Sequence, residues 1–510
     1  MVRLKSGHAL AIVAFLTAMV VQPGEMESID TLRRLQQTHA LWTSVPAVAP
    51  GDYPDFGLVG RDGKLYPWYG IGQSLVMLPA DLVISAVIKR IPRLASRTDV
   101  TVGLRTVFVS IVTSVPICVA SVLVAFGFLK RLAFSEREAT AGAMALLFCT
   151  LFLHYTQNVM ENNLMLLLTL IGFSCQYEWF RSGSVKHLFW GAMAFGANLL
   201  VRLPTAIDLT ICGVVLLSIA LVERAPDIRG KVKTYLATVV PVLLFWGALD
   251  RLVHYLRFGT LRGTYIGIQG VQQRLLHPEY PPDYPFNTPF PVGFWGALIS
   301  PEKSLFLFEP LTILLLLLCI AGWRSFSAAI KVLIVSLVVM VFGYISFYAK
   351  FVAWAGDDAW GDRYITTPLQ IIGLIAVALL VRLWPGLKAP ARWASAGIVA
   401  VAFMVQVLSL TLWMTVEVNQ YQKSKQPTLV IAQRVKNLEA IATGNVEKWG
   451  LRIPRGYPHT ETPYFMPFLL RADHLISPKA GLLLTSLWWM GLLLDLAFIA
   501  WMFRRFIAYG

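Results

Sequence analysis

Acidic residues stand at short spacing in GEMESIDTLRRLQ, residues 24–36. Glu27, Asp30 and Arg33 follow one another at the i, i+3 steps of a helix face, and Glu25 stands just before them. Carboxylates grouped in this way can take the proton of an attacking hydroxyl or amine as a general base. The ordinary alternative is a solvated amphipathic helix whose acids complement the helix dipole and pair with Arg33 and Arg34. A further acid, Glu161, opens an apolar run in HYTQNVMENNLMLLL, where it is either a helix-start carboxylate or a functional group at a membrane boundary. Arg202 interrupts two apolar stretches in NLLVRLPTAID; Glu161 or a phosphate would satisfy its charge.

Two more cations stand at the mouths of apolar runs, Lys303 in LISPEKSLFLFEP and Arg363 in WAGDDAWGDRYITTP. Such side chains often only snorkel to lipid headgroups. Several of them converging beside carboxylates would instead make a phosphate site. Asp357, Asp358 and Asp362 have the composition of a metal cluster, but no histidine adjoins them and a hydrated acidic loop is the better reading. The chain has no HExxH, phosphate-loop or Ser-His-Asp arrangement.

The elements that must position these residues are membrane helices. Of the 510 residues, 56% are hydrophobic and 14% charged, against roughly 45–50% and 25% in globular proteins, which excludes a soluble enzyme. The net charge of +15 comes with no basic block or zinc spacing, so nucleic acid is not the expected partner and the excess is assigned to topology. Of the 5 cysteines, Cys118, Cys149, Cys212 and Cys319 lie inside apolar runs and form no CxxC, so they do not report the redox compartment.

Arg3 and Lys5 precede a first apolar stretch at 9–21 that lacks a small-x-small cleavage site, which predicts an uncleaved span. Later spans are expected near 103–128, 139–154, 163–180, 188–201, 204–222, 235–255, 304–322, 332–349, 364–384, 395–416 and 481–503, about twelve in all. The stretch 70–87 is ambiguous. If it crossed, the basic loops at 130–137 and 224–233 would face outward, against the positive-inside rule. Its Gln73, Pro79 and Asp81 suit an interfacial helix. Both chain ends are then cytoplasmic, and 23–102, 155–162, 256–303, 350–363 and 417–480 face outward. The aromatic loop HPEYPPDYPFNTPFPVGFW, 277–295, is too rich in rings to be disordered; interfacial anchoring is its ordinary reading.

An acid-bearing loop after the first span, an interfacial apolar helix, a second acid at the start of a later span, an arginine between two helices and a late GxRY-like motif occur in that order. This order resembles the GT-C superfamily of polyprenyl-phosphate-dependent glycosyltransferases, in particular bacterial protein O-mannosyltransferases and the aminoarabinose transferases of lipid A. The phrases DGKLYPWYGIGQSLVMLP (62–79), SPEKSLFLFEP (300–310) and WGDRYITTP (360–368) carry the likeness, which runs to about residue 385. The resemblance implies an all-α polytopic GT-C-type fold, with a catalytic module over 1–385 and C-terminal transmembrane helices over 386–510 that carry the outer segment 417–480.

It further implies inverting transfer of a hexosyl or pentosyl group from a polyprenyl-phosphate donor to a lipid, glycan or protein acceptor. The site would face outward from a bacterial inner membrane, in contact with membrane lipids and with no nucleic acid. Glu25, or else Glu27, maps to the catalytic base, and Glu161 to the second acid. Arg202, Lys303 and Arg363 map to the donor phosphate, with Asp30 and Tyr66 in support. The family pattern has Asp-Glu or Asp-x-Asp where this chain has Glu-Met-Glu. No cofactor is required by this reading; a divalent metal is compatible with it but not predicted. The competing expectations are a lipid or lipid-linked-sugar transporter, with discontinuous helices at mid-depth, and a non-catalytic assembly subunit.

Overall fold

The computed structural model describes residues 5–26, 28–49, 51, 57–92, 96, 98–357, 359–417, 420, 429–445, 462–472 and 475–508. The chain is an all-α polytopic membrane protein; its one sheet among the described residues is a two-stranded hairpin, Leu58–Val59 with Leu65–Tyr66. In chain order the helices used below are α1 (Ser6–Val20), α2 (Ile29–Ala40), α3 (Gly72–Arg90), α4 (Thr98–Arg131), α5 (Glu136–Cys149), α6 (Phe152–Asn158), α7 (Asn162–Ser182) and α8 (Val185–Val201). They continue with α9 (Ala206–Val222), α10 (Ile228–Phe258), α11 (Tyr265–Leu276), α12 (Phe290–Ile299), α13 (Leu305–Phe308), α14 (Leu311–Gly322), α15 (Ala328–Tyr348) and α16 (Thr366–Leu383). The last are α17 (Ala389–Ser409), α18 (Val430–Ala442), α19 (Met466–Ala472) and α20 (Pro478–Met502).

Among the described residues, eight helices are long and apolar enough to cross a membrane, or nine if α5 and α6, bent by 53° at their junction, form one span. α1, α8, α12 and the Leu311–Ser325 stretch are apolar but shorter. The sequence-based count of about twelve includes α1, α8 and the Leu311–Ser325 stretch but not α12, and it leaves out α3, which passes the length and composition test.

The contacts of α3 explain how both descriptions arise. At one end of the bundle Ser6 Oγ hydrogen-bonds Glu136. At the other end the Gln22 amide donates to Ser114 Oγ at 2.8 Å and its oxygen accepts from Ser110 at 3.0 Å. At 1.5 Å per residue, α4 therefore extends roughly 20 Å past that level to Thr98. Met77, Ala80, Ile84 and Ile88 of α3 pack on Leu104, Phe108 and Val109 of this extension, and Arg105 Nε reaches Asp81 at 3.2 Å. Gln73, near the start of α3, donates to the carbonyl of Val159. Both halves of α3 thus bond on one side of the Gln22 level. It is apolar along its length, with Leu75, Val76, Val83 and Val87 exposed, yet its polar partners all belong to one end of the molecule.

The opposite end carries ordinary ion pairs, Arg131–Glu178 at 3.1 Å, Arg181–Glu223 at 2.8 Å and Arg382–Glu138 at 2.7 Å. There α5 begins on a capping box, with Ser135 and Glu138 each satisfying the other's backbone N–H. The described residues of 386–510 include helices that pack into the same bundle. Thr17 of α1 donates to Asp495 of α20 at 2.8 Å, and Trp488 donates to the carbonyl of Val20.

Candidate active site

Five chain segments converge at the Gln22 end. Helix α2 starts on Ser28, whose hydroxyl accepts from Asp30 N, and it carries Asp30 and Arg34 on one face at i, i+4. The segment before α3 supplies Tyr69. Its approach depends on glycine: a Cβ on Gly70 or Gly72 would run into the backbone of Leu200 and Val201, the last turn of α8. That turn ends in Arg202, whose extended backbone separates α8 from α9. Glu161 stands immediately before α7. Arg363 comes from the loop between α15 and α16, which folds back through Gly356 and Gly361 at φ 79° and 71°.

Their side chains form one charged cluster. Arg363 Nη1 donates to Asp30 Oδ2 at 2.7 Å and Nη2 to Asp357 Oδ2 at 3.1 Å. Tyr69 OH donates to the other oxygen of Asp30. Arg34 Nη2 lies 2.9 Å from Glu161 Oε1, and Arg202 Nη2 lies 3.4 Å from the same oxygen. Aromatic rings separate the cations: Arg34 lies 4.3 Å from the Tyr69 ring centroid and Arg202 4.7 Å from that of Tyr364. Tyr364 is itself stacked on Tyr348 at 4.0 Å.

Glu161 is fully buried, whereas the Asp30 side chain keeps 14% exposure and that of Asp357 keeps 55%. Burial by itself would raise the Asp30 carboxyl. The charges of Arg363 and Arg34, with the bonds from Tyr69 and Arg363, outweigh it and hold the group at about 2. The Tyr69 hydroxyl is pushed well up by burial and by the adjacent Asp30 charge, so it remains a donor. The cluster is not saturated. Arg34 Nη1 and Arg202 Nη1 are buried and meet no hydrogen-bond acceptor among the described residues, and the Glu161 oxygens between them are held by ion pairing without a hydrogen bond. Two cationic donors flanking one carboxylate, each with an open N–H face, fit an anion better than any neutral group.

Some residues expected from the sequence are placed elsewhere. The Lys303 ammonium donates to the carbonyls of Asp357, Ala359 and Gly361 at 2.7, 2.6 and 3.3 Å, so it holds the Arg363 loop from behind. A lysine at a span mouth can satisfy its three N–H groups on backbone as readily as on phosphate. Tyr66 lies in the hairpin, where its hydroxyl donates to Asp62, and it is Tyr69 that reaches the cluster. Glu25 stands in the bend at 24–25 that leads into α2, beside the contact of Gly24 with Met466, and Asp30 is an acid of this stretch that pairs with Arg363. Glu27 and Asp358 lie outside the described residues. Asp357 and Asp362 have separate partners, Arg363 and the Tyr364 N–H, and no group of three potential metal ligands occurs among the described residues.

No family model and no curated protein matches the chain. Among solved structures it is similar to the crystal structure of ArnT from Cupriavidus metallidurans bound to undecaprenyl phosphate. The identity is 13% and the TM-score 0.41, over 91% of this chain and 84% of that one. Likeness at that level says nothing about the site. The chemistry of the cluster rests on its own geometry.

That geometry adds residues the sequence reading passed over. Arg34 was in view only as an ion-pair partner of nearby acids, though its i+4 spacing from Asp30 placed the two on one face. Tyr69 had no distinguishing signal among the aromatic residues of KLYPWYG. Arg257, near the end of α10, was not singled out; it donates to the Tyr69 carbonyl at 3.3 Å, while Arg34 lies over the Tyr69 ring.

Proposed function

We propose that the protein is a membrane glycosyltransferase that moves a sugar from a polyprenyl-phosphate donor to an acceptor hydroxyl or amine, with inversion. The observation that carries this reading is the pair of unsatisfied guanidinium N–H groups, on Arg34 and Arg202, gathered at one oxygen of buried Glu161. A phosphate seated there would be held by charge-assisted hydrogen bonds, and the negative charge developing on it as the glycosidic bond breaks would be stabilised without reorganisation. Glu161 pairs with both arginines and so serves to hold the cations rather than to take an acceptor proton.

Asp30 then takes the base role that the sequence assigned to Glu25 or Glu27. It is a partly exposed carboxylate, held in orientation by Tyr69 and Arg363. As the acceptor oxygen or nitrogen bonds to the anomeric carbon, its proton passes to Asp30 and polyprenyl phosphate departs toward Arg34 and Arg202. A weakly basic carboxylate suffices when the leaving group is already a phosphate and proton transfer is late. Because guanidinium groups neutralise the phosphate, the reading needs no metal ion. The basic residues at the opposite end, including Lys130, Arg131, Arg181, Lys231 and Arg382, support a site on the non-cytoplasmic face through the positive-inside rule. A bacterial inner membrane suits such a donor.

A purified-protein assay with radiolabelled polyprenyl-phosphate sugars tests this. Asp30→Asn is expected to lower turnover by about 10²–10⁴-fold, and Glu25→Gln and Glu27→Gln in the same series show which acid carries the largest loss. Equal turnover in wild type, Asp30→Asn and Glu161→Gln would sink the enzyme reading. One feature favours a transporter: Glu309, buried between α13 and α14, accepts from the Leu151 N–H at 2.8 Å at the α5–α6 bend, an acid at a helix break of the kind transporters use. Flux of labelled lipid across proteoliposomes without sugar transfer would select it.

A further inference from the structure

Arg257 is a buried cation that the reaction above does not use. It lies in the last turn of α10, and its own carbonyl accepts from Arg61 N at 2.9 Å, which brings the hairpin over it. Its guanidinium meets neutral acceptors, the Tyr69 carbonyl and, with the Gln37 amide turned to present its oxygen, Gln37. It forms no ion pair among the described residues: Asp250 on the same helix is taken by Arg251 at 2.5 Å, and Asp62 by Lys64 and Tyr66. Asp250 acts on it only at a distance and is shared with Arg251, and the carbonyl end of α10 adds roughly half an elementary charge, so no carboxylate neutralises it by contact. A buried, hydrogen-bonded but unneutralised guanidinium is costly to keep unless an anion visits it.

Its position relative to the cluster decides what that anion serves. Tyr69 lies between the two sets of cations, with Arg34 over its ring and Arg257 on its carbonyl. Exposed Arg61, whose N–H bonds the Arg257 carbonyl, adds positive charge at the same corner and favours negatively charged visitors. We propose that Arg257, with the Gln37 amide, forms a second anion-binding subsite that receives a phosphate or carboxylate group beside the phosphate held at Arg34 and Arg202. The proposal rests on the reading of that first site as a phosphate cradle. The second group belongs either to a diphosphate-linked donor or to an acidic acceptor.

The test uses the full-length protein in nanodiscs, with polyprenyl phosphate, polyprenyl diphosphate and inorganic phosphate as probes. With polyprenyl phosphate saturating, inorganic phosphate is expected to raise Tm further in wild type, and Arg257→Met is expected to abolish that second rise while Arg257→Lys keeps part of it. Without ligand, Arg257→Met should melt no lower than wild type, because it removes an uncompensated charge. A purely structural arginine would instead leave the variant less stable. If the second group belongs to the donor, Arg257→Met weakens polyprenyl diphosphate by roughly tenfold and leaves polyprenyl phosphate unchanged, one charge-assisted contact being lost. If it belongs to the acceptor, neither lipid changes and only the phosphate increment disappears. No phosphate increment in wild type together with equal affinity of the variant for both lipids overturns the subsite. Failure of polyprenyl phosphate to bind at all, with inorganic phosphate still binding at Arg257, would strike the proposed function and leave the subsite standing.

Discussion

Two buried clusters in this molecule use the same residue types and end in opposite states. Near the C-terminal segment Arg434 is fully buried, and every face of its guanidinium is occupied. Nε and Nη2 each reach Glu417 at 2.7 Å, Nη1 donates to the carbonyls of Leu408, Ser409 and Leu412 at the end of α17, and the plane lies over Trp360 at 4.9 Å. Asn437 adds a bond to Glu417 at 2.7 Å. Around Glu161, by contrast, two arginines share one carboxylate oxygen, and each keeps an Nη1 with no acceptor among the described residues. A saturated buried pair holds chain segments together; an unsaturated one reserves its bonds for something that arrives later.

Breaking one member of each cluster should therefore give opposite phenotypes. Arg434→Met leaves Glu417 buried without its partner and frees three carbonyls at the end of α17. The expected loss is about 3–5 kcal/mol of stability, read as a large drop in Tm in detergent. Arg202→Met leaves Glu161 paired to Arg34 and removes an open donor, so Tm should move little while polyprenyl-phosphate affinity falls by roughly 10–100-fold, the worth of a hydrogen bond to a charged group. A variant at Arg202 that melts as early as one at Arg434 would erase the distinction.

How far this contrast was visible beforehand differs between the two clusters. Glu161, Arg202 and Arg363 stand out in the sequence because charge beside an apolar run is costly and therefore conspicuous. Asp30 was visible as a helix-face acid, and α2 is amphipathic with Ile29, Leu32 and Leu35 on one side, but Thr31, Arg33, Arg34 and Gln37 are buried as well as Leu35, so the apolar stripe alone could not say that the polar side is also covered. Glu417 and Arg434 carried no signal, since a pair brought together from separate helices leaves no spacing to read. The apolar spans were legible for the opposite reason, a repeated composition enforced by the bilayer. α3 shows where that rule stops: its composition allows a crossing, and only its bonds to Val159, His39 and Arg105 place it.

Titration sharpens the contrast within the unsaturated cluster. Asp30 is held at about 2 against 3.8 for the free side chain. A depressed carboxyl contributes stability that is complete above the unfolded value and is lost as pH falls through the folded one, here about 2 kcal/mol given up between roughly pH 4 and 2. Asp30 should thus produce no acid limb in the rate between pH 5 and 8. Arg363→Met removes the largest favourable charge and leaves burial to act, so a limb should rise into that range. Burial lifts Asp362 to about 6, with its Oδ1 accepting from the Tyr364 N–H. A wild-type limb near 6 would accordingly belong to Asp362, and Asp362→Asn would remove it.

The smallest effect is expected at the far end of the bundle. Arg382 reaches Glu138 at 2.7 Å with side chains 31% and 13% exposed, and its guanidinium also lies 4.2 Å from the Phe134 ring centroid. Its geometry is as good as that of Arg363 with Asp30, but water and ions screen it, and double-mutant measurements on such pairs give about 0–1 kcal/mol. Arg382→Gln should shift Tm by at most a few degrees, leave polyprenyl-phosphate affinity unchanged, and lose even that small Tm effect in high salt. A loss there comparable to that at Arg434 would mean that geometry alone, rather than burial and saturation, separates structural pairs from the rest.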